Sequence, residues 1–392
     1  MRRIDVAERR ARLARRHRLA PGHRAADVVE ATASMVCLHG TDPATVYLSA
    51  HARVEDMTVA ELDRALYEDR SLVKHMAMRR TLFVFARETL SVAQAGASLR
   101  VADAERRRLV RDVEKAELRK DGRRWLAQAS KQVLAALADG REATSSQLRD
   151  EIPLLQGAIT YGEGKSWGGP APIGPRVMTV LSADGLIVRA SNDGGWATSR
   201  PRWAATRSWL GEPIAALPEA EGVAGLVERW LRTFGPGTAA DIKWWLGSSL
   251  GAVRQALADL DAVEVDLDGE IGHLLPDDLE ATDPVEPWAA LLPPLDPTTM
   301  GWAQRNWYLG PHREQLFDTS GNAGPTLWWE GRIVGGWRQS DSGEVVLQVL
   351  DDIGAEAVGA LEREAARLSA WLDGARVLPR FPSPLFKGAA AG

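Results

Sequence analysis

The chain is poor in the residues on which most metal, redox and membrane chemistry rests. Among its 392 residues there is one cysteine, Cys37, which excludes an internal disulfide and a thiolate metal cage and fits a reducing, cytoplasmic setting. The seven histidines show no metal-ligand spacing such as H-E-x-x-H, and there is no G-x-S-x-G nucleophile elbow. "GEGKS" at 162–166 has the end of a phosphate-binding loop, but Ile159 stands where its first glycine is required and no strand-to-helix context surrounds it, so a nucleotide site is excluded. Cys37 and His39 are two residues apart and would face different ways on a helix, which excludes a Cys/His nucleophile pair. No run approaches the roughly 18 apolar residues of a membrane span. The N-terminal "MRRIDVAERRARLARRHRLAPGHR" has charge without an apolar signal core and reads as a basic helix. The expectation is a soluble monomer needing no metal and no cofactor.

Hydrophobic residues make up 45% of the chain, enough for a large core spread over about two to four domains. The net charge of -5 rules out a blanket polycation, but nucleic-acid binding depends on local patches. Two are visible. One is the arginine-dense N-terminus, from Arg2 and Arg3 to Arg24, which is either such a patch or a solvated helix face; the other is Arg79-Arg80, directly before the strand-like "TLFVFA". Tryptophan is abundant, at 15 against four tyrosines and six phenylalanines. The pairs Trp244-Trp245 and Trp328-Trp329 read as packing. Trp167 and Trp196 sit in glycine-rich loops, the first beside Lys165 and the second near Arg200 and Arg202, where an aromatic with a cation could stack on a base or pack internally.

Pattern and turn signals divide the chain. Residues 1–97 read as three helices and a strand, the third helix capped by Thr58 with Glu61 three residues on. Residues 98–120 read as a charged connecting helix. Residues 121–210 and 211–278 look like one pattern written twice: a Thr-capped helix ("ATSSQLRDEIP", "GPGTAADIKWWLG"), a longer helix, then a hairpin with an Asn/Asp/Gly-rich turn. That is the order of a winged helix, whose second helix can lie in a major groove. Residues 279–392 alternate short β-prone runs with turns, including a hairpin about Glu330-Gly331, before one amphipathic helix and a Pro-rich tail. The fold class expected is α+β: tandem winged-helix domains followed by a C-terminal β-barrel.

Four stretches resemble the AlkZ/YcaQ family of winged-helix DNA glycosylases, and together they span nearly the whole chain. "LHGTDPATVYLSAHARV" is similar to the family's L-Q-x-Q-x-P followed by an aromatic and an A-R pair, and "MRRTLFVFA" to its R-G-T-L-H segment. "FGPGTAADIKWWLG" is similar to G-P-x-T-x-x-D-x-x-x-W-L-G, and "LLPPLD" with "WWEGRIVGGW" resembles its C-terminal part. The resemblance implies a concave channel for double-stranded DNA and hydrolysis of the N-glycosidic bond of alkylated or crosslinked purines by a monofunctional glycosylase. On such a channel the basic patches and aromatic-bearing loops described above make Arg79, Arg80, Lys165, Trp167, Trp196, Arg200, Arg202 and Lys243 the candidate DNA contacts.

The family's two catalytic polar residues, Gln with Gln or Asp, correspond to His39 and Thr41 in this sequence. Two polar side chains at i and i+2 of an irregular turn can hold one water. His39 could take its proton, Thr41 could hold it, and Asp42 could orient the imidazole or face the sugar cation. Equally, Thr41 and Asp42 could simply cap a helix starting at Pro43. Phe83 replaces the family's His and Arg80 its Gly. The alternative is therefore a non-catalytic winged-helix protein of the transcriptional-regulator kind, and a third reading is a small-molecule site using Asp296 and Arg305.

Overall fold

The computed structural model describes residues 1–162, 164–165 and 168–388; Trp167 lies outside them. The chain opens with strand β1 (Arg2–Arg3) and helix α1 (Val6–Arg16), which starts where the Asp5 carboxylate accepts the Glu8 backbone N–H. It then runs through one topology three times. The first unit is α2 (Val28–Ser34), β2 (Leu38–His39), α3 (Pro43–His51), α4 (Val59–Asp63) and the hairpin β3 (Leu72–Ala77) with β4 (Thr81–Ala86), in sheet order β2-β4-β3. Thr58 and Glu61 form the expected capping box at α4.

A long helix, α5 (Leu99–Lys115), leads to the second unit. This comprises α6 (Gly122–Ala136), β5 (Ala143–Thr144), α7 (Ser145–Glu151), an inserted hairpin of β6 (Ala158–Tyr161) and β7 (Gly169–Pro172), α8 (Gly174–Ala183), β8 (Ile187–Asn192) and β9 (Pro201–Ala205). Its sheet order, β5-β9-β8, repeats that of the first. The third unit is α9 (Glu219–Phe234), α10 (Ala239–Leu246), α11 (Leu250–Asp259), β10 (Val263–Leu267) and β11 (Glu270–Leu274). Here a single bridge, Gly237 to His273, stands where the others have a short strand, and β1 adds in parallel along β10.

The expected barrel is instead an open sheet. β12 (Ala289–Leu292), β13 (Thr326–Trp329), β14 (Arg332–Gln339) and β15 (Val345–Val349) form an antiparallel meander, and among the described residues its two edge strands do not pair with each other. Four strands are too few to wrap round their own core. The apolar face is covered by helix α12 (Gly354–Leu372), whose Leu361 and Leu368 pack with Leu327, Trp329 and Trp337. The hairpin at Glu330-Gly331 forms as expected, with φ of 47° and 77° at its tip.

The N-terminal arginines clasp the molecule together. Arg12, 1% exposed, is held by Glu8 and Asp278, and Arg16 reaches the same Asp278 and the Gly235 carbonyl. Arg2 pairs with Glu8, Arg3 with Asp268 and Arg18 with Glu30. Arg10 donates to the Trp307 carbonyl while Arg9 lies 4.2 Å from the Trp307 ring centroid. Their acids and carbonyls lie mostly beyond residue 230, so these charges are consumed in joining the chain's start to its later parts.

At the centre, Arg53 and Asp296 are both 0% exposed and joined by two hydrogen bonds of 2.8 and 2.9 Å. Ser49 donates to Asp296 at 2.7 Å, the Thr298 backbone N–H donates at 2.9 Å, and Arg53 also donates to the Thr298 hydroxyl, which lies 2.8 Å from His17 Nδ1. Every Asp296 oxygen is thereby satisfied, and the Arg53 charge holds its carboxyl below the usual range despite burial. This closes the third reading above, since Asp296 has no free oxygen for a substrate. Asp296→Asn should lower unfolding free energy by about 3–5 kcal/mol, because it leaves Arg53 buried and unpaired. In urea melts, the double variant Arg53→Met/Asp296→Leu should lose less than either single change; a larger loss would contradict this account.

Candidate active site

The turn after β2 is set by backbone geometry. Leu38 and His39 pair with Val84 and Phe83, and the pleat sends Leu38 into the core while His39 shares the opposite face with Phe83 and His75, in a row across three strands. Gly40 then passes close over β4, its N–H donating to the Leu82 carbonyl at 2.8 Å. A Cβ at Gly40 would meet that carbonyl at 3.4 Å, so a small residue keeps the turn tight. Asp42 takes the N-cap position of α3 and Pro43 its first turn.

His39 is half-buried, with its ring edge-on to Phe83 at 5.5 Å between centroids. The Thr41 backbone N–H points to its Nδ1 at 3.4 Å, which favours the tautomer carrying the proton on Nε2. Burial, with the Arg79 charge second, lowers its pKa to about 3. His39 is thus a neutral imidazole presenting an N–H donor. Among the described residues, no protein group hydrogen-bonds the Thr41 hydroxyl. A neutral imidazole and a hydroxyl without a protein partner among the described residues therefore stand two positions apart in one turn.

Asp42 does not join them. Its carboxylate, 5% exposed, accepts the backbone N–H of Arg380 at 3.1 Å, and the Arg380 guanidinium donates to the Thr41 carbonyl at 3.1 Å. Burial raises its pKa. The expected orientation of the imidazole by Asp42 is corrected: this carboxylate anchors the C-terminal tail beneath the turn, and although Asp42 stands at the N-cap position before Pro43, its side chain makes no capping hydrogen bond. Nothing in the sequence near Asp42 signals Arg380, which comes from 338 residues away.

The β3–β4 turn brings Arg79 to the same site. Arg79 and Arg80 have φ of 52° and 61°, a left-handed conformation that costs a non-glycine residue roughly 1–3 kcal/mol. Arg80 spends its charge on Glu105 at 2.9 Å. Arg79 instead lies over Trp244 of α10, 4.2 Å from the ring centroid, and Arg305 approaches the same ring at 4.9 Å. Gly247, in the left-handed conformation that ends α10, lets the Arg79 stem pass where a Cβ would be 2.7 Å from Arg79 Cγ. Sequence reading took Trp244 for packing and missed its cations, since the three residues meet only in space.

The other expected contacts scatter. Lys243 is exposed on α10, and Lys165 lies in the inserted hairpin's turn. Arg200 is exposed, with its backbone N–H on Asn192, and Arg202 binds Asp193 and the Glu142 carbonyl. Trp196 is corrected to packing: its ring lies 5.3 Å from Tyr47 and 5.4 Å from Trp371, so this loop folds back onto α3 and α12. In the second unit's α8, Gly174, Val177, Met178 and Val180 to Ala183 are buried against neighbouring elements, which leaves Pro175, Arg176 and Thr179 on its open side.

Three units of one topology, a polar turn on the first and an open sheet behind it define a class that comparison identifies. The family model described as DNA glycosylase AlkZ-like matches residues 32–371, and the chain belongs to that family. Among solved structures, Streptomyces sahachiroi DNA glycosylase AlkZ superposes with a TM-score of 0.73 at 20% identity, covering 96% of this chain and 99% of that one. No curated protein sequence matches. Among the described residues no helix is long and apolar enough to cross a membrane, and no group of three or more His, Cys, Asp or Glu could hold a metal.

Burial lowers four histidines together: His17, His39 and His51 to about 3 and His75 to about 4. They stay neutral in the fold but bind protons once unfolded, from pH about 6.5 downward. Stability should therefore fall as pH drops below 6.5, with about four protons taken up on unfolding near pH 5. Urea melts with proton-uptake measurement would check this; stability constant from pH 7 to 5 would contradict it.

Proposed function

We propose that the chain is a monomeric DNA repair glycosylase that binds duplex DNA and hydrolyses the N-glycosidic bond of alkylated or bulky purine adducts, with the attacking water held between His39 and Thr41. The observation carrying this reading is the turn at His39-Gly40-Thr41: a neutral N–H donor and an unoccupied hydroxyl at the positions matching the family's paired polar residues. A purine alkylated at a ring nitrogen is already cationic and leaves as a neutral base, so departure needs no proton. The site fits that demand, because among the described residues no acid contacts His39 and the imidazole does not ionise near neutrality. What remains is to position water against an oxocarbenium-like sugar: the C–N electrons leave with the base, the water oxygen bonds to the sugar carbon, and its surplus proton passes to solvent, with His39 and Thr41 holding the water. The three repeated units serve in this proposal as winged helices at 1–97, 121–210 and 211–278, bridged by 98–120 and backed by 279–392.

A second reading is favoured by one observation. Phe83, in place of the family's His, turns its edge to His39 at 5.5 Å, an apolar neighbour where a polar partner would help water. That supports a DNA-binding protein without catalysis.

Single-turnover base release from a duplex bearing N7-methylguanine separates the two. The catalytic reading expects release by the wild type, slowed about 10²-fold by His39→Ala or Thr41→Ala and largely retained by His39→Gln, with no release of uracil. Equal rates for His39→Ala and wild type would remove His39 from the site. Binding that weakens steeply with salt but yields no base would favour the non-catalytic reading.

A further inference from the structure

Most cations near the centre of this molecule are matched by a carboxylate; the pair around Trp244 has none among the described residues. Arg79 comes from the β3–β4 turn and Arg305 from the segment following Asp296, and both guanidiniums approach one indole ring, at 4.2 and 4.9 Å. Arg305 is 5% exposed, and its Nε donates to the Trp302 carbonyl at 2.9 Å. Among the described residues, neither arginine makes an ion pair with a carboxylate. Two like charges on one ring repel, and of the two Arg305 is also buried without an anion, which is unfavourable. The arrangement is nevertheless built in: the turn carrying Arg79 holds two non-glycine residues in the left-handed region, and Gly247 opens the space its stem occupies.

The position makes the missing anion specific. Arg79 is close enough to His39 for its charge to help keep that imidazole neutral. An uncompensated guanidinium there would oppose the positive charge that develops on a sugar losing its base. An anion seated on Arg79 would remove that opposition and turn the same residue into a strand anchor.

We propose that Arg79 and Arg305, organised by Trp244, form a seat for one phosphodiester of the DNA strand carrying the reacting nucleotide, next to the His39 turn. This rests on the DNA-binding reading above and names the contact that sets the strand's register. Arginine supplies planar paired donors for phosphate oxygens, and the indole holds the Arg79 fork in place while DNA is absent. The backbone contact positions the strand and carries no sequence preference. Occupied, the seat makes the local potential compatible with a cationic lesion. Unoccupied, it disfavours one, so a free alkylated nucleoside is a poor substrate.

The test reads duplex affinity, first on an undamaged duplex and then on lesion-bearing ones, and does not depend on base release. Arg79 is exposed, so Arg79→Gln should fold, and Trp244→Leu gives a second variant that leaves both arginines but removes their shared ring. Arg79→Gln is expected to weaken binding about tenfold and to reduce the slope of log K against log salt by about 0.9, the share of one phosphate. Trp244→Leu should weaken binding by a smaller factor. In a series of duplexes each carrying one neutral methylphosphonate around an N7-methylguanine, one position should weaken wild-type binding and leave Arg79→Gln unaffected. A variant with the wild-type affinity and salt slope, or one equally sensitive to every methylphosphonate, would overturn the seat while leaving the glycosylase reading intact. A wild type that binds no duplex would overturn both.

Discussion

The buried ion pair between Arg53 and Asp296 fixes the relation on which the site depends. Arg53 follows α3, the helix that starts at the His39 turn, and Asp296 opens the segment that carries Thr298, Trp302 and Arg305. Ser49 and His17 complete the network from α3 and from the end of α1. With both ions fully buried, the pair tolerates little change of geometry, since any opening leaves a charge without water. One end of the constraint therefore positions the turn and the other positions Arg305, which approaches the same Trp244 ring as Arg79. The tail adds a tie from below through Arg380, which holds both Asp42 and the Thr41 carbonyl.

Within this frame the candidate site is chemically spare. Its imidazole is kept neutral by burial and by a nearby guanidinium, its hydroxyl has no protein partner among the described residues, and the Asp42 carboxylate is turned toward the tail. Such a site cannot drive off a neutral base by protonating it. It suits a leaving group that already carries positive charge, with the protein contributing placement more than acid or base strength. Burial is decisive for both features: the same packing that shuts Asp42 into the tail lowers the pKa of His39.

Local signals in the sequence carry through to the structure, and long-range pairings do not show in it. The capping boxes at Thr58 and Thr238 and the hairpin at Glu330-Gly331 need only neighbouring residues, and they form as expected. So does the α3 start at Pro43. The N-terminal arginines were ambiguous because their partners, Asp268, Asp278 and the Trp307 carbonyl, lie more than 260 residues away. Trp196 looked like an exposed wing because glycine-rich loops usually are, yet Tyr47 and Trp371 enclose it. The barrel expectation counted β-prone runs correctly but could not foresee that α12 covers the sheet. At the candidate site, the match of His39 and Thr41 to a family pattern singled out the turn, and their role belongs to the proposal. The roles of Trp244, Arg305 and Arg380 were not legible, because each depends on a contact between distant segments.

The central claim is that His39 acts as a fixed neutral donor and not as a titrating base. The pH dependence of single-turnover release of N7-methylguanine from duplex DNA tests it most directly. With an imidazole pKa near 3, the rate should be flat between pH 5.5 and 8 in a fixed-salt buffer. A rate that rises through a single ionisation between pH 6 and 7, and loses that dependence in His39→Gln, would contradict it.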